Sequence, residues 1–177
     1  PLNAVLGWVH MLRTGTLRPD VQVRALQSLE RNAKAQAQLV DDLLDVSRII
    51  SGKLAIKKDV LDLTAVIAEA VDAVRPAVSA KGLRLGVEVG AGAEFVVQGD
   101  AARLQQVVWN LLSNAVKFTP AGGTIDVDLR NDGEYVEIIV GDSGEGIDPA
   151  FLPYVFERFR QADSATSRKH GGLGLGL

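Results

Sequence analysis

Apolar residues recur at helical spacing throughout the first 51 residues of the chain. The first of them, three and four residues apart, are Leu2, Val5, Val9 and Leu12. They predict a helix, and the connector TGTLRPD that follows carries Gly and Pro turn signals. A longer helix is predicted from about Asp20 to Ser51, because its apolar positions keep an a/d heptad spacing. The heptad positions are Leu26, Leu29, Ala33, Gln36, Val40, Leu43, Ser47 and Ile50, of which Gln36 and Ser47 are polar.

Two amphipathic helices joined by a short loop form an antiparallel hairpin. Each helix has one apolar stripe, and a single hairpin leaves much of that surface in water. Pairing two hairpins into a four-helix bundle buries it. We therefore expect a homodimer through residues 1–52, and a hairpin packed on its own C-terminal domain is the alternative.

The pattern changes at SGKLAIKKDV, residues 51–60. Gly52 is expected to end the second helix, because glycine readily adopts the left-handed conformation found there. A polar linker is predicted over 53–60, and residues 61–177 form a second domain with mixed patterns.

Two helices are predicted in this second domain. The first, capped by Asp62 or Thr64, extends to about Ala80, and its inner face consists of Val66, Ile67, Ala70, Val71 and Val74. A kink is expected at Pro76. The second helix is predicted over 101–117. Its buried face consists of Leu104, Val107, Val108, Leu111, Leu112 and Ala115.

Alternating apolar and polar residues predict strands at 83–89, 94–100, 124–130 and 135–142. The last two are joined by the hairpin turn NDG. The predicted fold is α+β: a helical hairpin followed by an α/β sandwich, with helices on one face of a mixed, largely antiparallel sheet.

The composition of the chain excludes several classes of function and site. The net charge of −3 argues against a general nucleic-acid or anionic-membrane binder, and 47% hydrophobic residues support a packed core. Without cysteine there is no disulfide framework and no thiolate zinc site. The lack of cysteine also favours a cytoplasmic location. No apolar run approaches the ~20 residues of a membrane span, so we expect no membrane contact by these residues, and a membrane anchor elsewhere in a longer parent protein stays open.

The stretch NLLSNAVKF, residues 110–118, carries the first candidate chemistry. Asn110, Asn114 and Lys117 share one helix face, since they are four and three residues apart. An Asn carbonyl oxygen suits Mg²⁺ and Lys suits a phosphate. The alternative is an ordinary exposed polar face.

Two glycine-rich stretches carry the other candidate binding residues. In VGDSGEGID, residues 140–148, Asp142 ends a strand and can accept a hydrogen bond from a ligand amino group. In GGLGLGL, residues 171–177, alternate glycines expose backbone N–H groups that suit phosphates. A flexible tail is the alternative for the second stretch, and the polar QADSATSRKH before it is typical of a lid.

The order of these motifs resembles the histidine-kinase branch of the ATPase superfamily that includes type II topoisomerases, mismatch-repair ATPases and the ninety-kilodalton heat-shock chaperone. NLLSNAVKF resembles the N box, DSGEGI the first glycine box, VFERFRQAD the F box and GGLGLGL the second glycine box. The hairpin resembles the dimerisation and histidine-phosphotransfer domain. The resemblance implies a sensor histidine kinase core that uses ATP and Mg²⁺ and passes the phosphoryl group to a response-regulator receiver.

The resemblance also implies roles for individual residues. Asn114 is expected to ligate Mg²⁺, Asn110 and Lys117 to contact phosphates, and Asp142 to bind the adenine amino group. Gly144 and Gly146 are expected to shape the pocket floor, and Ile147 is expected to contact ATP. The lid residues are Phe156 and Phe159, together with Arg158, which is either a γ-phosphate contact or a surface residue. The expected phosphate cradle is the backbone of Gly172, Leu173, Gly174, Leu175 and Gly176.

The opening PLNAVLGW matches the end of the family's phosphoacceptor motif, His-Glu-x-x-Thr-Pro-Leu-x. The acceptor His is therefore expected before residue 1, and residues 1–177 alone are not expected to autophosphorylate. His10 is expected to be a structural or surface residue and His170 an exposed lid residue. The chain also stops within the second glycine box, so we expect an ATP domain truncated at its C-terminal end.

Two other functions stay open. One is a clamp-type ATPase of the same superfamily, which the preceding hairpin disfavours because those ATPases begin with the nucleotide domain. The other is a non-catalytic dimerisation and regulator-docking module, a pseudokinase, which the intact Asn114, Asp142 and glycines disfavour.

Overall fold

The structure is a computed structural model that describes residues 2–15, 17–91, 94–131 and 133–157, apart from the side chains at 35, 38 and 42. The chain divides into two compact units, Pro1–Ala55 and Ile56–Leu177. The division falls inside the segment suggested as a linker. None of the described helices is long and apolar enough to cross a membrane.

The first unit is a hairpin of α1 (Leu2–Arg13) and α2 (Pro19–Ile50). Pro19 occupies the first turn of α2, where its missing N–H has no helical partner. The two helices pack against each other. The residues that turn inward include Val5, Trp8 and Leu12 of α1 and Val21, Ala25, Leu29 and Leu39 of α2.

The apolar stripe of the hairpin is wider than the heptad pattern predicts. Its inward edge starts at Val21 and Ala25, one residue out of phase with the predicted positions, and Trp8 also belongs to it although it was not predicted. The other edge is exposed, and several predicted heptad positions lie there. These are Leu26, Val40, Leu43 and Ile50, which are 58%, 48%, 56% and 71% exposed. The structure therefore shows the inner packing of the hairpin and a second apolar edge beside it.

The described part of the second unit contains five strands and two α-helices. In chain order they are β1 (Asp59–Asp62), α3 (Leu63–Lys81), β2 (Arg84–Val89), β3 (Val96–Gly99), α4 (Ala101–Phe118), β4 (Thr124–Asn131) and β5 (Val136–Asp142), followed by a 3₁₀ turn, Leu152–Tyr154. Sequence reasoning missed β1, since DVLD is too short to show an alternating pattern. It forms because Leu61 and its neighbours pair with β3.

The strands form a mixed arrangement, as predicted. β4 pairs in parallel with β2 and antiparallel with β5, while β1 and β3 form a separate antiparallel pair. Ile125, Val127 and Leu129 alternate along β4 and are at most 1% exposed. They belong to one core with the inner residues of α3 and α4, so the helices cover one face of the sheet.

The predicted inner face of α3 is confirmed in full, since all five of its residues are buried. Asp62 is the cap: its Oδ1 accepts a hydrogen bond from the Thr64 N–H at 2.9 Å. On α4 the prediction for Val107 is wrong, because this residue is 55% exposed. It lies at the edge of the apolar arc, while Val108 and Leu112 occupy the centre.

Candidate functional site

A polar stripe follows α4 on the side away from the core. Asn110, Asn114 and Lys117 each come two positions after a buried residue of the same helix, and two positions correspond to a rotation of about 200°. The buried residues are Val108, Leu112 and Ala115. All three polar side chains are half-buried, so the stripe lies in a partly covered surface beside the core.

Lys117 ends this stripe, in the last turn of α4. Partial burial lowers the pKa of its ammonium group below the ordinary value, because the charged form loses hydration. Its Nζ lies 4.6 Å from the centre of the Phe118 ring, within the range of a cation–π contact. A partly dehydrated cation held at the helix end is suited to contact an anionic group such as a phosphate.

Asp142 lies at the end of β5, close to the C-terminal end of α4. Its partner in the ladder is Ile125, so its side chain shares the face of the sheet that the helices cover. Asp142 Oδ1 accepts a hydrogen bond from the Gly144 N–H at 2.8 Å and another from the Thr119 hydroxyl at 3.5 Å. Thr119 is fully buried and directly follows α4, so this contact joins the end of the helix to the end of the strand.

The two glycines after Asp142 are needed for different reasons. A Cβ at Gly144 would lie 2.5 Å from Asp142 Oδ1 and 2.9 Å from the Phe118 carbonyl oxygen, so a side chain does not fit there. Gly146 has a φ of +71°, a conformation that other residues rarely adopt. Both glycines therefore shape the turn that follows Asp142.

Of the remaining predicted site residues, the structure describes some and not others. Ile147 is 48% exposed in the turn after Gly146, and Phe156 is 80% exposed after the 3₁₀ turn. His10, as expected, is an exposed residue of α1. The predicted residues Arg158, Phe159, His170, Gly172, Leu173, Gly174, Leu175 and Gly176 lie outside the described residues.

Sequence reasoning missed three polar residues near the ends of α4. Thr119 and Ser143 lie at the corner beside Asp142, and Asp100 lies at the start of the helix. The Ser143 hydroxyl accepts a hydrogen bond from the Thr124 N–H at 2.8 Å, and the Ser143 N–H donates to the Thr124 carbonyl. The one sequence signal for Thr119 is its place between a helix end and Pro120.

Asp100 anchors the other end of α4. Its carboxylate accepts hydrogen bonds from the Lys57 N–H at 3.2 Å and from the Arg103 N–H at 3.3 Å. These bonds favour the charged form, and the one from Lys57 contributes most to lowering the pKa of Asp100. The entry segment of the second unit is thus tied to the start of the helix that carries the polar stripe.

The lowered pKa of Asp100 predicts a stability effect at acid pH. A carboxyl with a depressed folded pKa contributes stability above its unfolded pKa of about 3.9, and loses it as pH falls through the folded value. Asp100→Asn keeps a capping side chain but cannot titrate. We expect wild type to be more stable than Asp100→Asn at about pH 6, and this gap to close below about pH 4.

Urea unfolding of both proteins at several pH values measures this gap. Asp62 also has a lowered pKa, from its hydrogen bonds with Thr64, but it titrates in both proteins and cancels in the difference. A gap that stays constant from about pH 6 to about pH 3 would contradict the role of the Asp100 charge.

The donor set of the site fits Mg²⁺ bound mainly by a ligand. Within the described part of the chain, no three His, Cys, Asp or Glu side chains cluster in a way that holds a metal ion. Mg²⁺ commonly keeps several waters and takes only one or two protein oxygens together with substrate phosphates. The amide oxygen of Asn114 has the chemistry of such a ligand, and phosphates near Lys117 would complete the set.

Comparison with known protein families covers most of the chain. Residues 1–52 match the His Kinase A (phospho-acceptor) domain. Residues 99–177 match the family described as histidine kinase-, DNA gyrase B-, and HSP90-like ATPase. The first match lies within the first unit, and the second match lies within the second unit.

Individual relatives and solved structures that resemble the chain are also histidine kinases. The signal transduction histidine-protein kinase BarA of Escherichia coli K12 is 36% identical over the whole chain, which spans 20% of BarA. The structure of full-length ShkA in complex with AMPPNP superposes with a TM-score of 0.73 at 27% identity, covering 99% of this chain and 36% of ShkA. Histidine kinase ThkA, in complex with response regulator protein TrrA, shares the fold, with a TM-score of 0.63 at 18% identity over 91% of this chain and 47% of ThkA. The chain belongs to the sensor histidine kinase family, whose catalytic core it carries.

Proposed function

We propose that the chain is the kinase core of a two-component system, which transfers the γ-phosphoryl group of ATP to a histidine and then to an aspartate of a response regulator. One observation carries the proposal. The polar stripe of α4 ends where Thr119 and Gly144 hold the Asp142 carboxylate, so groups for phosphate and for a base meet at one helix end. The AMPPNP complex of ShkA supports a nucleotide as the ligand.

Each residue of the site then has a task. Asn114 would hold the Mg²⁺ that accompanies the phosphates, and Asn110 and Lys117 would contact the phosphates directly. Asp142 accepts a hydrogen bond from the adenine amino group, while Gly144 lets the backbone approach the base. The bound metal supplies neutralisation of phosphate charge, and the protein supplies position, which accounts for most of the catalysis in such transfers.

The transfer itself needs a histidine nitrogen in line with the γ-phosphorus. A bond forms between the imidazole nitrogen and phosphorus, the bond from phosphorus to the β–γ bridging oxygen breaks, and ADP leaves. By resemblance the acceptor histidine precedes Pro1. The second unit is the part that we propose binds the nucleotide in this reaction.

The hairpin is proposed to form a homodimer through residues 1–52. The exposed apolar edge of α2, which includes Leu26 and Leu43, supports this, because four-helix bundles bury such edges between two hairpins. Introducing Leu26→Glu and Leu43→Glu together is expected to convert a dimer into a monomer, since two charges would have to be buried in each hairpin.

Sedimentation velocity measures the change directly. The matched control is Gln27→Glu, which adds a charge to α2 at another exposed position and should leave the dimer intact. A wild-type monomer, or a double variant that remains a dimer, would contradict dimerisation through this edge.

A response-regulator receiver is the proposed second partner. ThkA, which shares the fold, was solved in complex with its response regulator TrrA, and this supports such a partner for the present chain. The proposed docking surface is the helical hairpin, near the segment that by resemblance carries the acceptor histidine.

Calorimetric titration of the chain with AMPPNP, with and without Mg²⁺, tests the nucleotide proposal. We expect binding at one site that is tighter when Mg²⁺ is present, because the metal joins the phosphates to Asn114. Equal affinity with and without Mg²⁺ would contradict the metal role, and no binding would contradict the nucleotide site.

A further inference from the structure

Lys81, the last residue of α3, joins that helix to the end of α4. Its Nζ donates hydrogen bonds to the carbonyl oxygens of Val116 at 2.7 Å and Lys117 at 2.9 Å. The side chain is half-buried, and α3 and α4 pack side by side. No part of the nucleotide proposal uses Lys81.

The two carbonyls that Lys81 contacts have no partner within α4. The last four carbonyls of a helix lack intrahelical donors, and they form the negative end of the helix dipole. The Thr119 N–H satisfies the Ala115 carbonyl, and Lys81 satisfies the next two. A cation with two donors therefore holds this helix end from the neighbouring helix.

The last turn of α4 is also where the site residues meet. Lys117 belongs to it, and the Phe118 carbonyl lies against Gly144. Thr119, the next residue, donates to Asp142. We propose that Lys81 is a positioning residue, which fixes the backbone of this turn and so places Lys117 and Thr119 for the nucleotide. The inference rests on the proposed function.

Nucleotide affinity and local exchange test the inference together. Lys81→Met removes both donors and the charge but keeps the length of the side chain, whereas Lys81→Arg keeps donors and charge. The control is Lys58→Met, at an exposed lysine of the same unit. Trinitrophenyl-ATP is the probe, at a temperature where thermal unfolding shows every variant to be folded.

We expect Lys81→Met to bind the probe about tenfold more weakly, Lys81→Arg to stay close to wild type, and Lys58→Met to be unchanged. In a Lys117→Met background, Lys81→Met should have a smaller effect, since part of its action is to place Lys117. Unchanged affinity in Lys81→Met, or a loss that simply adds to that of Lys117→Met, would overturn the positioning role.

Amide hydrogen exchange makes the test independent of binding. Lys81→Met should speed exchange of the Thr119 and Gly144 N–H groups and leave that of Val108, in the middle of α4, unchanged. Unchanged exchange at Thr119 and Gly144 overturns the inference. Faster exchange there in a protein whose wild type binds no nucleotide would refute the proposed function and keep the role of Lys81 in fixing this turn.

Discussion

Replacement of Asn114 by alanine is expected to weaken binding of Mg²⁺-ATP by about a hundredfold or more, and to abolish phosphoryl transfer with it. The Asn114 amide is the one side-chain oxygen that we assign to the metal, so its loss weakens the binding of the ion that neutralises part of the phosphate charge. The helix itself should tolerate the change, since alanine has a higher helix propensity than asparagine. Calorimetry with AMPPNP, with and without Mg²⁺, measures the effect.

Gln105→Ala is the matched control for Asn114→Ala. Like Asn114→Ala, this change removes a side-chain amide from α4. The side chain of Gln105 contacts Glu69 of α3 and is not part of the polar stripe. We expect Gln105→Ala to bind nucleotide like wild type, and the residual binding of Asn114→Ala to be insensitive to Mg²⁺. If Asn114→Ala keeps the full gain in affinity from Mg²⁺, the metal is held by other residues.

Asp142→Asn is expected to weaken ATP binding by roughly thirtyfold, which corresponds to the ~2 kcal/mol of a hydrogen bond to a charged group. Among the described residues, both hydrogen bonds to Asp142 fall on Oδ1. An amide nitrogen in place of Oδ2 would present a donor to the adenine amino group. Because guanine carries an acceptor oxygen where adenine carries this amino group, wild type should also reject GTP by a similar factor.

Competition of ATP and GTP against a fluorescent nucleotide measures both effects. Glu145→Gln is the control, because it removes a negative charge three residues further along the same turn from Asp142. It should preserve the preference for ATP. An Asp142→Asn protein that binds ATP as tightly as wild type would show that the carboxylate does not contact the base.

Local sequence patterns predicted the helices well. The inner face of α3 follows from the 3.6-residue period alone. The sequence narrowed its cap to Asp62 or Thr64, and the structure selects Asp62. The prediction failed at the edges of patterns. Val107 lies beside the apolar arc of α4, and β1 is a strand only because β3 pairs with it.

The hairpin shows a further limit of pattern reading. A heptad pattern identifies an apolar stripe, but not which edge packs within the chain and which stays exposed. The buried Ala25 and the exposed Leu26 are neighbours on that stripe, and their different burial depends on where α1 lies.

The contacts that position the site could not be predicted for a related reason. Lys81 reaches a carbonyl 36 residues further along the chain, and Asp100 binds an N–H 43 residues before it. Such pairs leave no periodic signal, because each depends on the packing of whole elements. The candidate site residues themselves were proposed from motifs, which place them close together in sequence.

Incubation with γ-labelled ATP and Mg²⁺ tests the central claim most directly, in a protein that includes the segment before Pro1 where the resemblance places the acceptor histidine. The account predicts that label becomes attached to the protein and is acid-labile but base-stable, as expected for a phosphohistidine, and that Asn114→Ala abolishes it. Hydrolysis of ATP without labelling would point instead to a clamp-type ATPase. Nucleotide binding with neither labelling nor hydrolysis would point to a pseudokinase, and either result would contradict the account.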